Sequence, residues 1–187
     1  MARSGKSTAS LPVALELLAT EHRKVEALFQ RYDEEKEEGD ESRRELAQRI
    51  CKELTEHTRL EEEIFYPWLR ENLDAESADL IDEALVEHAS AKDLIAQIQS
   101  ARSVDETFDA RVKVLGEYVR HHVREEENEI FPQVAGDQDE LDELGQEMHA
   151  RRAELREELG LSEGEDEGRV PMRARRAEPR ASARGAD

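Results

Sequence analysis

Four of the six histidines in this 187-residue chain fall on apolar helical stripes, where a polar ring needs a reason. His22 belongs to the series Leu15, Leu18, His22, Val25, Phe29, Tyr32, with every step three or four residues. His57 sits in Leu46, Ile50, Leu54, His57, Glu61, Ile64, Trp68, and His88 among Ile81, Leu85, Ala91, Ile95 and Ile98. His122 continues Phe108, Val112, Leu115 and Val119 and leads to Glu126 and Ile130. Two of these stripes thus carry a glutamate one turn after the histidine and on the same face. A buried carboxylate without a partner is costly, and two facing each other cost more. Four imidazoles and two carboxylates meeting in one core require a compensating cation, and both ligand types suit iron.

A single His-x-x-x-Glu is weak evidence, because 34 of the 187 residues are Glu. His22–Glu26 and His121–Glu125 share that spacing, and its ordinary meaning is a solvated pair on a helix surface. The repeat is what discriminates. His57-Thr-Arg-Leu-Glu61-Glu62-Glu63-Ile-Phe65-Tyr66-Pro67 aligns with His122-Val-Arg-Glu-Glu126-Glu127-Asn-Glu-Ile130-Phe131-Pro132. Arginine at +2, glutamates at +4 and +5, an apolar residue at +8, an aromatic at +9 and proline at +10 all agree. The chain has only five prolines, so two at one offset from a histidine are informative. Upstream, Glu21-His22 and Glu87-His88 lie 66 residues apart, close to the 65 separating His57 from His122. The chain reads as a duplicated helix pair.

The elements that must position these residues are helices. Glycine and proline are scarce, and Ala, Leu, Glu and Arg dominate. The first helix is expected over about residues 11–37, opening at Ser10 with Pro12 in its first turn. The second is expected to start at the capping box Ser42-Arg43-Arg44-Glu45. The third runs from Asp74 or Ser77 to Ala101, and the fourth starts at the capping box Ser103-Val104-Asp105-Glu106. Short links make neighbours antiparallel, so the expected fold is all-α, an up-down-up-down four-helix bundle. A short fifth helix, Gln138 to Gly160, with Leu141, Leu144, Met148, Leu155 and Leu159, caps or flanks it. The domain is expected over 11–160, with 1–10 and the tail 161–187 disordered.

The formal net charge is −20, with a pI near 4.7. Residues 1–10 contribute +2 and the six Arg of 162–187 cancel its six Asp and Glu, so the bundle carries −22. That charge argues against a nucleic-acid or anionic-membrane partner. No apolar run reaches a membrane span and Met1 to Ser10 has no signal-peptide core, so a cytoplasmic protein is expected. Cys51 has no second cysteine to pair with and is expected to be a small packing residue.

The paired His-x-x-x-Glu motifs ending in an aromatic-Pro step resemble the hemerythrin-like, or HHE cation-binding, family over about residues 11–160. The resemblance implies a non-heme di-iron centre in the bundle core. Its terminal ligands would be His22, His57, His88 and His122, and its bridging carboxylates Glu61 and Glu126. The two irons would share an oxo or hydroxo bridge. Oxygen-carrying hemerythrins have a fifth histidine one turn from the third-helix histidine. Here His88 is followed at +4 by Lys92 and preceded at −4 by Ala84. Two six-coordinate irons need about twelve bonds, and this ligand set leaves about two positions for water, dioxygen, peroxide or another carboxylate, for which Glu26 is the candidate.

The function expected is binding or sensing of dioxygen, nitric oxide or iron itself. The alternatives are a di-iron enzyme acting on peroxide or in another redox step, the same site loaded with zinc or manganese, and a metal-free structural bundle. His121, on a polar face with Glu117 and Glu125, and His149 are expected at the surface. Pro67 and Pro132 are expected to kink or stop their helices, with Trp68 and Phe131 plugging that end of the bundle.

Overall fold

A computed structural model describes residues 11–35, 39–73, 75–134, 136 and 138–161. The helices are α1 (Val13–Glu34), α2 (Asp40–Leu60), α3 (Tyr66–Asn72), α4 (Ala75–Gln99), α5 (Glu106–Glu125) and α6 (Gln138–Leu159). A π-helical turn, Glu61–Phe65, joins α2 to α3, and a second, Glu126–Ile130, follows α5 and leads into a short 3-10 turn, Phe131–Gln133. The chain is an all-α four-helix bundle. α1, α2, α4 and α5 pack in a closed ring, and α6 lies outside it against α1 and α2. Among the described residues no helix is long and apolar enough to cross a membrane. The expected disorder of 1–10 and most of the tail falls outside the described residues.

The inward stripes are where periodicity places them, but the helix starts differ. α1 begins at Val13 with Pro12 as N-cap, and Ser10 lies outside the described residues. α2 starts ahead of the expected capping box. Gly39 takes the N-cap with φ 96°, a conformation costly for other residues, and Asp40 and Glu41 fill the first turn. Their charges face the free N–H groups of the helix start, so Ser42 ends up inside the helix. At α5 the cap is Asp105 instead of Ser103. Its carboxylate accepts the Phe108 N–H at 2.9 Å, while the Ser103 hydroxyl donates to its other oxygen at 2.9 Å. An ionised cap is the stronger acceptor.

The prolines act through the π turns. The Tyr66 N–H bonds to the Glu61 carbonyl and the Phe131 N–H to the Glu126 carbonyl, five residues back in each case. The extra residue absorbs the lost proline donor and rotates everything beyond it. Pro67 therefore sits in the first turn of α3 and does not stop the helix. The rotation turns Phe65, Tyr66 and Leu69 into the core and leaves Trp68 only partly buried, so the expected Trp68 plug is corrected. Phe131 is buried as expected.

Apolar side chains form two blocks. One contains Leu15, Leu18, Leu60, Phe65, Leu69, Ile81 and Met148, the other Phe29, Ile50, Leu54, Ile95, Phe108 and Leu115. Each fully buried Leu, Ile or Phe is worth about 1.5–3 kcal/mol, enough to hold a polar layer between the blocks. α6 docks closely because Gly145 has no side chain: a Cβ there would lie 2.8 Å from Val13 Cβ.

Candidate metal centre

The polar layer is built from one residue of each of the four ring helices, α1, α2, α4 and α5, and the first residue of each π turn. His22 (α1), His57 (α2), His88 (α4), His122 (α5), Glu61 and Glu126 are all buried, and both glutamates are 0% exposed. The six side chains meet as two overlapping groups. His22, His57, Glu61 and Glu126 form the first, and Glu61, His88 and His122 the second. Within the first, Nε2 of His22 lies 3.1 Å from Nε2 of His57 and 3.1 Å from Oε2 of Glu126, and Nε2 of His57 lies 3.1 Å from Oε1 of Glu61. Within the second, Nε2 of His88 lies 3.2 Å from Nε2 of His122 and 3.3 Å from Oε2 of Glu61. Glu61 therefore gives one oxygen to each group.

These atoms converge without bonding one another well. Neither oxygen of Glu61 and not Oε2 of Glu126 has a hydrogen-bond partner of proper geometry, although all are buried. Orphaned buried carboxylate oxygens are costly. Imidazole nitrogens and carboxylate oxygens about 3 Å apart around a common point fit a metal ion with bonds of about 2.0–2.2 Å. The residues present thus fit a metal, and imidazole with carboxylate admits iron.

Electrostatics agree. Burial opposes a charge on His57, but the Glu61 charge and the Glu21 carboxylate bonded to it hold its pKa well above the ordinary value. Burial likewise opposes ionisation of Glu61, and the His57 and His88 rings override it, keeping the carboxyl well below its usual range. His88 is pushed up to about 9, burial being outweighed by Glu61 and Glu62. Protons on His57 and His88 supply positive charge that a cation can replace.

A ring of outer carboxylates turns every Nε2 inward. Glu127 bonds Nδ1 of His22 at 2.9 Å, Glu21 that of His57 at 3.0 Å, Glu62 that of His88 at 2.9 Å and Glu87 that of His122 at 2.9 Å. Such partners fix the tautomer and raise ligand basicity. The pattern is reciprocal between the halves. The glutamate before the first histidine serves the second histidine of its own half, and the glutamate at +5 serves the first histidine of the other. These four glutamates stand at equal offsets in the two repeats, which is the sequence signal for their shared role.

Tyr66 was also missed. Its hydroxyl lies 3.4 Å from Oε1 of Glu126 and 3.5 Å from Nε2 of His88, which adds an oxygen to the second group. The π turn brings it there. Burial and the Glu61 and Glu126 charges hold its pKa well above the ordinary value. The structure corrects the Glu26 candidate, which does not join the cluster. Its oxygens accept from Arg120 at 2.8 Å and Gln30 at 3.0 Å, and it is partly exposed on the flank between α1 and α5. His121 and His149 are exposed, and Cys51 is fully buried.

Beside the four imidazoles is a cavity of about 30 Å³, walled by Val25, Leu54, Ala91, Val119 and Val123. That is room for one or two water-sized molecules.

Residues 13–134, well over half of the chain, match the Hemerythrin HHE cation binding domain. The chain is similar to the crystal structure of a hemerythrin HHE cation binding domain-containing protein from Mycobacterium kansasii, with a TM-score of 0.66 and 26% identity over 78% of this chain and 88% of that one. It is also 28% identical over 149 residues to a DNA nickase from Nostoc sp. (strain PCC 7120 / SAG 25.82 / UTEX 2576), a stretch that is 78% of this chain but only 40% of that protein. The match runs from the start of α1 through the 3-10 turn that follows the second π turn, and the chain belongs to the hemerythrin HHE cation-binding domain family.

Proposed function

We propose that the chain binds two iron ions between its four core histidines and Glu61 and Glu126, and uses them to bind or sense a small ligand such as dioxygen or nitric oxide, or iron itself. The supporting observation is the pair of fully buried glutamates, three of whose four oxygens lack hydrogen-bond partners while imidazole Nε2 atoms stand 3.1–3.3 Å away. Bound iron supplies redox chemistry and open coordination positions. The chain contributes the rest: outer carboxylates aim the imidazoles, and the apolar cavity walls admit a diatomic molecule while excluding bulkier ones.

A second reading, an enzyme acting on peroxide, draws on Tyr66. Its hydroxyl, 3.4 Å from Glu126, is a buried proton donor at the edge of the centre. DNA nicking is a property of the Nostoc protein. With −22 on residues 11–161 and only 40% of that relative spanned, we read this chain as having no nucleic-acid partner.

Metal analysis and visible spectra of protein purified aerobically and after iron reconstitution test the proposal. About two irons per chain, lost in His57→Ala and Glu61→Ala, support it. An iron-free protein after reconstitution rejects it. A reduced centre that dioxygen and nitric oxide leave unchanged, but that turns over peroxide, moves the reading to the enzyme.

A further inference from the structure

The two halves of the bundle do not have equal surroundings. Superposing the repeats by sequence offset places Leu17, Glu21, Glu56, Leu60 and Ile64 of the α1–α2 face on Glu83, Glu87, His121, Glu125 and Glu129 of the α4–α5 face. α6 packs over the first face. There the Arg152 guanidinium donates to Glu21 at 2.7 Å and lies 3.0 Å from Glu56. The second face has no covering helix among the described residues. Its equivalents of Glu21 and Glu56 are Glu87 and His121, and its apolar positions have become glutamates.

Those residues converge. Nε2 of His121 lies 3.2 Å from Oε1 of Glu125 and 3.6 Å from Oε1 of Glu87, and the three ligand atoms form a group of metal-binding dimensions. No lysine or arginine pairs with Glu83, Glu87, Glu125 or Glu129 among the described residues. One imidazole with two carboxylates, half exposed, suits a labile divalent transition-metal ion.

A second observation gives the group a direction. A narrow cleft of about 10 Å³ is lined by Glu83, Glu87, Glu125 and Glu129 and by His122 and Glu126. Glu126 is 0% exposed, and its Oε2, which has no hydrogen-bond partner of proper geometry, stands 3.1 Å from Nε2 of His22 at the inner end. The cleft thus joins surface carboxylates to two residues of the buried cluster. Glu87 belongs to both ends: Oε1 faces His121 while Oε2 holds Nδ1 of His122.

We propose that Glu87, His121 and Glu125 form a capture site for a divalent transition-metal ion, which passes along the α4–α5 cleft to the buried centre. The supply step rests on the reading of that centre as a metal site; the capture site stands on its own. The cleft takes a single bare ion and no hydration shell, so the glutamates along it replace water as the ion moves inward. On the opposite face Arg152 holds the corresponding position and α6 closes the route.

The experiment uses the full chain and the double variant His121→Asn/Glu125→Gln, which leaves Glu87 and its bond to His122 in place. Manganese(II) bound to chelator-stripped protein is counted by electron paramagnetic resonance. Anaerobic uptake of iron(II) into the buried centre is followed by stopped-flow absorbance. His149→Asn is the surface control. The expected result is one weaker manganese site in the wild type that is absent from the double variant, with iron uptake slowed about tenfold and final occupancy unchanged. Manganese binding that is identical in wild type and double variant overturns the capture site. Equal uptake rates, with the extra site present, overturn the supply route. If the wild-type buried centre takes no metal, the reading under Proposed function and the supply route both fail, while the manganese count still decides the capture site.

Discussion

Tyr66 stacks on His88 with ring centroids 5.5 Å apart, and its hydroxyl reaches across to Glu126. In the other repeat the residue at the same offset is Phe131, which stacks on His22 at 6.0 Å and has no hydroxyl to offer. The two candidate ligand groups are alike in histidines and unlike in oxygen donors. Tyr66→Phe should therefore weaken the second metal equivalent about tenfold and leave the first unchanged. Stepwise metal titration reads this directly. Loss of the hydroxyl should cost no more than about 2 kcal/mol in denaturant unfolding, because the ring stays.

The outer carboxylates should matter nearly as much as the ligands. Glu62→Gln and Glu127→Gln each remove a charge bonded to a core Nδ1 but keep the helix and the volume. Metal affinity is expected to fall about 10–100-fold in each, with the fold intact by circular dichroism. Unchanged affinity in competition with a chelator of known strength would show that these glutamates are ordinary surface acids.

Removing both core carboxylates should reveal what they contribute to the fold. In the double variant Glu61→Leu/Glu126→Leu the rings of His57 and His88 lose the carboxylate charge they share. Without metal it should be less stable than metal-free wild type at neutral pH by about 3–5 kcal/mol. It should also gain nothing from added iron, whereas the wild type should unfold later with metal than with chelator. Thermal melts with and without chelator test both statements.

α6 is tied down by a buried ion cluster. Arg156 lies 2.8 Å from Glu56 and 3.3 Å from Glu53, all three nearly inaccessible, and Lys24 and Arg49 complete the group at 2.9 and 2.7 Å from Glu53. Arg156→Met leaves Glu53 to Lys24 and Arg49 and Glu56 to Arg152, and the lost charged hydrogen bonds should cost about 1.5–3 kcal/mol. Equilibrium urea unfolding measures it, and a loss below about 1 kcal/mol would mean that the cluster is solvated.

Cys51 gives a pH prediction. Burial raises its thiol from 9.0 to about 12, so the native state keeps a proton that the unfolded chain releases. Between those values the native state binds more protons than the unfolded state, and its stability falls as pH rises. Below pH 9 the thiol contributes no pH dependence. Cys51→Ala should flatten the alkaline loss in urea unfolding, and a thiol reagent at pH 8 should label Cys51 only after unfolding.

The four stripes and the six inward residues were legible because burial of an apolar face imposes a period that histidine interrupts only for a reason. Helix starts were less legible. Ser42 and Ser103 matched a capping pattern, but Gly39 and Asp105 offered the helix a better first turn. Trp68 was misplaced because a period of 3.6 cannot anticipate the extra residue of a π turn, which turned Tyr66 inward instead. Glu26 had the correct spacing from His22, yet spacing does not show that Arg120 stands across the groove to claim it. Glu62 and Glu127 were visible as repeated letters, and only the geometry across the bundle gave them a task.

The reciprocal exchange of Glu62 and Glu127 also bears on ancestry. One helix pair holds two imidazoles and one core carboxylate, and it lacks the outer carboxylate for its own first histidine. Its twin supplies that group, on terms that are the same in both directions. Two separate copies related by a two-fold axis would complete the same centre, so a symmetric dimer of helix pairs is a chemically sufficient precursor. A single chain carries no such symmetry constraint: one half has the Tyr66 hydroxyl and the other an open acidic flank, a division of labour that identical subunits cannot make.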